Sequence, residues 1–70
     1  MKMINTPQSS NVMAFGYDKD LKILAVTFRS GTYHYFDVPE KVFEDMQKAE
    51  SVGKFLNSEV KSKGYRYKKQ

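Results

Sequence analysis

The stretch Lys22–Phe36, KILAVTFRSGTYHYF, decides the fold. Leu24, Val26 and Phe28 alternate with Ile23, Ala25 and Thr27, which is the period of two of a strand with one face more apolar than the other. Arg29-Ser30-Gly31 turns the chain back, because Gly31 takes the positive φ that tight hairpins demand. Thr32 to Phe36 is β-branched and aromatic and gives the returning strand. On the amino-terminal side, Asn11 to Tyr17 is mostly apolar or aromatic and Asp18-Lys19-Asp20 supplies a turn, so a further strand precedes. Met1 to Ser10 has no periodicity and reads as a flexible arm.

On the carboxyl side the period changes at Pro39, placed at the first helical position with Glu40 on the positive end of the helix dipole. Val42, Phe43, Met46 and Ala49 form a helical stripe backed by Glu44, Asp45 and Lys48. Ser51 reads as a second N-cap, followed by Val52, Phe55, Leu56 and Val60 or Glu59, with Gly64 ending the helix. The expected architecture is α+β: a three-stranded antiparallel meander followed by two short helices packed on one of its faces, in the order β-β-β-α-α. The domain spans 11–64, with 65–70 as a basic aromatic tail.

Composition narrows the function. Sixteen of the 70 residues are Leu, Ile, Val or Phe, above the rough fifth below which chains stay disordered. The net charge of +4 is uneven: residues 1–60 hold seven basic and eight acidic side chains, whereas 61–70 hold five basic side chains and no acid. The absence of cysteine removes disulfides, thiolate metal sites and a thiol nucleophile, and the cytoplasm is the expected compartment. No apolar run approaches the roughly 20 residues that span a bilayer, so no membrane partner is expected. Homodimerisation would supplement so small a core.

The order Ser9-Ser10, Gly16-Tyr17-Asp18, Leu24-x-Val26-x-Phe28, Gly31, Tyr33-x-Tyr35, Val38-Pro39 and Ala49-x-Ser51-x-Gly53-Lys54-Phe55 resembles the KTSC domain family over roughly Ser9 to Tyr67. That module is named for its place at the carboxyl end of some lysyl-tRNA synthetases and also occurs alone in small bacterial and phage proteins. The resemblance implies no catalysis. It suggests RNA binding, through the synthetase association, without implying that tRNA is the target of this chain.

Candidate binding residues come from the sequence itself. Tyr33 and Tyr35 share a strand face. A two-residue loop Ser30-Gly31 sets them opposite Phe28 and Val26 on the apolar face, whereas a three-residue loop sets them opposite Thr27 and Ala25, where their rings are free to stack on bases. Arg29 stands at the hairpin tip in either case. Ser51, Gly53 and Lys54 form a helix start where N–H groups, a close approach and a full charge suit a phosphate. The same residues also read as an ordinary cap with close helix packing. It is no P-loop, since Phe55 stands where Ser or Thr would hold magnesium. In the tail, Lys61, Arg66, Tyr65 and Tyr67 interleave cations with aromatics, a combination that suits single-stranded nucleic acid, a solubilising end or an added edge strand.

His34 lacks a second histidine or thiol, so no metal site is expected. Asp18 and Asp20 bracket a turn, Glu44 and Asp45 lie on a polar helix face, and no nucleophile accompanies them; no catalytic residue and no cofactor is assigned. The sequence therefore reads as a non-catalytic module for a phosphate-bearing nucleotide ligand, most simply RNA. The alternatives are a homodimeric sponge that sequesters a small nucleotide signal, as phage anti-defence proteins do, and a protein interaction module.

Overall fold

The structure is a computed structural model that describes residues 2–6 and 12–70. Five strands form one antiparallel sheet in chain order: β1 (Met3–Asn5), β2 (Val12–Asp18), β3 (Ile23–Phe28), β4 (Gly31–Tyr35) and β5 (Tyr67–Lys69). Two helices, α1 (Glu40–Lys48) and α2 (Val52–Leu56), come between β4 and β5, and α2 runs on into a π-helical turn, Asn57–Lys61. The expected meander is the centre of this sheet. Each edge adds one short strand: β1, which was not expected, and β5, which the tail offered as one option.

β1 corrects the reading of Met1 to Ser10 as a loose arm at Met3–Asn5, which pairs with β2 through Met3↔Gly16, Ile4↔Phe15 and Asn5↔Ala14. Three residues are too few to show a period, but Ile4 packs against the core and Gly16 lets the β1 backbone approach closely. Ser9, Ser10 and Asn11 lie outside the described residues. β5 realises the edge-strand option for the tail. Its register is Tyr33↔Lys69, His34↔Lys68 and Tyr35↔Tyr67.

The β3–β4 register corrects the expected loop. Phe28 pairs with Gly31, Val26 with Tyr33 and Leu24 with Tyr35, so the loop is Arg29-Ser30 rather than Ser30-Gly31 or all three residues. Gly31, with φ 141°, opens β4 instead of sitting in the loop. The slip is two residues in register from the first expected option, so the parity is kept and both rings stay on the apolar face. Asp18 Oδ1 accepts the N–H groups of Asp20 and Leu21 at 3.0 and 3.1 Å, closing the β2–β3 turn as its composition predicts.

The helices cover the face carrying Phe15, Leu24, Val26 and Tyr35. Met46 of α1, Leu56 of α2 and Val60 of the π turn are fully buried against it, and each such side chain contributes about 1.5–3 kcal/mol on leaving water. Pro39 is the N-cap of α1, one position before its expected place. Phe43 meets Phe15 edge-on at 5.7 Å and stacks on Tyr17 at 5.4 Å, while the Tyr17 hydroxyl donates to the Val38 carbonyl. Ser51 caps α2 as its position predicts, its hydroxyl accepting the Lys54 N–H at 3.3 Å. No helix among the described residues is long and apolar enough to cross a membrane.

Candidate nucleotide-binding cleft

A cleft of about 850 Å³ opens between the β3–β4 hairpin, β5 and the helical segment that ends in the π turn. Its wall on the sheet side is an aromatic ladder. The Phe28 and Tyr33 rings meet at 5.5 Å, Tyr33 and Tyr67 at 5.9 Å, and Tyr35 and Tyr67 at 5.7 Å. β-Strand alternation places Phe28, Tyr33 and Tyr35 on one face, and the pairing of β5 brings Tyr67 onto the same face beside them. Tyr65 lines the cleft from the segment before β5.

The cations come from other elements. Arg29 reaches the cleft from the hairpin tip and Lys61 from the last position of the π turn, where its Nζ lies 5.2 Å from the centroid of the Phe28 ring. The wide π turn, closed by the Ser62 N–H on the Asn57 carbonyl at 3.2 Å, carries both Asn57 and Lys61 on the cleft side. Such turns recur at functional sites. Among the described residues the cleft lining includes no acidic side chain. A planar anion meets rings to stack on and positive charge to neutralise it, without a carboxylate to repel it.

Seven of the ten sequence-predicted residues meet in this cleft: Arg29, Tyr33, Tyr35, Gly53, Lys61, Tyr65 and Tyr67. Their burial differs. Tyr35 is only 4% exposed, so its ring belongs to the core, and Tyr67 is 62% exposed. Burial raises the Tyr35 phenol above its ordinary 10.0, with smaller contributions from Tyr67 and Tyr33, so it stays neutral near pH 7.

Ser51, Lys54 and Arg66 are not brought in. The Ser51 hydroxyl accepts the Lys54 N–H as a helix cap, and Ser51 and Lys54 do not line the cleft. Arg66 pairs with Asp37 at 3.2 Å on an exposed corner, and its carbonyl accepts the Phe36 N–H at 2.8 Å, which fastens the tail to the end of β4. Residues missed from sequence are Phe28, Ser30 and Asn57 in the lining and Lys69, whose side chain lies over Gly31. Phe28 and Asn57 follow from the alternation and helical spacing once the register is known. Lys69 follows only from β5 pairing. No group of three or more His, Asp or Glu among the described residues is arranged to hold a metal ion.

The family model described as KTSC domain matches residues 8–67. A protein of Tsukamurella paurometabola is 49% identical over 55 residues, covering 77% of this chain and 82% of the relative. A lysine–tRNA ligase of Nostoc punctiforme is 38% identical over 58 residues, 81% of this chain but 10% of the ligase. Among solved structures, a KTSC domain protein from Yersinia pestis superposes with a TM-score of 0.91 at 31% identity, covering 99% of this chain and 96% of that one.

Proposed function

This chain belongs to the KTSC domain family, and on that premise we propose that it is a non-catalytic binding module whose cleft takes a phosphate-bearing nucleotide unit of single-stranded RNA. One observation carries the reading: Arg29, Lys61 and four tyrosines, from four separate segments, converge on one cleft with no acid in its described lining. Rings stack bases and cations neutralise phosphates, which is the recipe for single-stranded nucleic acid. An aromatic cage for a cationic ligand has the same rings, but Arg29 and Lys61 would repel its occupant. The similar segment within a ligase named for acting on tRNA supports RNA as the source of the nucleotide.

A free nucleotide, sequestered rather than read, is the second reading. The cleft volume favours it, since about 850 Å³ lies in the range of roughly 300–1,000 Å³ typical of small-molecule pockets. Anisotropy titration of a labelled ten-nucleotide single-stranded RNA tests the first reading. With two or three phosphates neutralised, affinity falls roughly tenfold between about 50 and 200 mM salt. Salt-independent binding, or none, overturns it, and competition by nucleoside monophosphates shows whether the free nucleotide is the better ligand.

A further inference from the structure

We propose that the cleft prefers a ligand ending in a phosphomonoester, whose terminal phosphate lies at the β3–β4 hairpin tip among Arg29, Lys61 and Lys69. This rests on the nucleotide reading of the cleft and narrows it from any phosphate-bearing unit to a chain end or a free nucleotide.

Antiparallel register polarises the cleft. At the tip end, Arg29 stands in the loop and Lys61 lies against the Phe28 ring, which pairs with Gly31. Lys69 points to the same end: it pairs with Tyr33, and a Cβ built on Gly31 would stand 3.0 Å from its Cε and 3.9 Å from its Nζ. The bare backbone of Gly31 is what lets the Lys69 arm lie there. Three cations from three separate elements thus gather at one end. The opposite end is Tyr35, Tyr65 and Tyr67.

The only cations in the described lining are Arg29 and Lys61, both at the tip. From Gly31 to Tyr35 the strand advances roughly 13 Å at about 3.3 Å per residue, so charge and far rings are held well apart. The interior of an RNA strand carries single charges at even spacing and would be matched by cations spread along the groove. A phosphomonoester carries about −1.5 to −2 at neutral pH, concentrated at one point. Arg29, Lys61 and Lys69 have no ion-pair partner among the described residues, where the pair is Arg66 with Asp37. Cations placed at one end attract a dianion more strongly than a monoanion.

Calorimetric titration of four probes tests this: one pentanucleotide RNA with a 5′-phosphate, with a 3′-phosphate or with hydroxyls at both ends, and a nucleoside 5′-monophosphate. At least one phosphate-ended RNA is expected to bind roughly tenfold tighter than the hydroxyl-ended form, as an added charge-assisted contact implies. Lys69→Gln is expected to reduce that ratio towards one, while Lys48→Gln, on the exposed end of α1, preserves it. A monophosphate that binds as tightly as the phosphate-ended RNA supports the terminal phosphate and identifies the free nucleotide as its source. Equal binding of phosphate-ended and hydroxyl-ended RNA overturns the proposal and leaves the cleft a nucleotide site. A preference that persists undiminished in Lys69→Gln overturns the placement at the tip. Failure of every probe to bind removes the nucleotide reading itself.

Discussion

Lys61 Nζ stands 5.2 Å from the centroid of the Phe28 ring, which fixes a cation of the π turn over an aromatic of β3. The two residues are far apart in sequence, and their contact links the helical wall of the cleft to its sheet wall. An exposed contact of this kind is worth about 0.5–1 kcal/mol. Lys61→Gln is therefore expected to lower thermal stability slightly and RNA affinity more, with the slope of log affinity against log salt shrinking by about 0.7, the share of one phosphate on a single strand. An unchanged slope would place Lys61 outside the interface.

Tyr67 joins the tail to the body. Its ring meets Tyr33 at 5.9 Å and Tyr35 at 5.7 Å although it is 62% exposed. Tyr67→Ala is expected to cost about 1 kcal/mol of stability, the scale of aromatic pair contacts, and to weaken RNA binding. Urea unfolding measures the first and anisotropy the second. Removing residues 61–70 does more, because it takes away β5 and not only five charges.

Gly16 of β2 faces the chain at the start of β1 closely. A Cβ there would stand 2.6 Å from the Lys2 carbonyl oxygen and 2.7 Å from Met3 Sδ. Met3 Sδ can swing away, but the Lys2 backbone cannot do so without disturbing the β1 pairing. Gly16→Ala is expected to destabilise by about 1–3 kcal/mol, in the range of overpacking. Hydrogen exchange on β1 amides should rise more than on β3 amides.

Alkaline stability follows from Tyr35. Its phenol is raised above 10.0 by burial, then by Tyr67 and Tyr33, and Tyr17 is raised by burial, then by Glu40 and Asp18. Up to about pH 9 both phenols are neutral in the folded and unfolded chains and contribute no pH dependence. Above pH 10 the unfolded chain ionises first, so stability is lost as pH rises through the folded-state values. Thermal melts should be level with respect to these groups up to about pH 9 and fall beyond pH 10. Tyr35→Phe should soften that fall, leaving the part due to Tyr17.

Most of the architecture was legible in Lys22–Phe36 and in the shift of period at Pro39, because strands and helices that bury one face must repeat every 2 or 3.6 residues. β1 was not, since a three-residue edge strand carries no period and is defined by its neighbours, and β5 was legible only as one option among three for the tail. The Tyr33 and Tyr35 face depended on the hairpin register, which loop composition alone left open; the structure settles it through Phe28↔Gly31. For the same reason the placement of Lys69 over Gly31 was invisible, while Arg29, Lys61 and the tyrosines were already conspicuous by type. Ser51 shows the opposite case: the residue was rightly seen as a cap from its place before a helical stripe, and its hydroxyl accepts the Lys54 N–H.

The location of binding is tested most directly by amide chemical-shift mapping of the full chain during titration with a short single-stranded RNA carrying a 5′-phosphate. The largest shifts are expected at Arg29, Ser30, Tyr33, Asn57, Lys61 and Tyr67, which line the cleft, with little change at Thr27, Thr32 and His34, which alternation places on the helix-free face. Shifts centred on that opposite face, or no shifts at millimolar RNA, would show that the cleft is not where this protein meets its ligand.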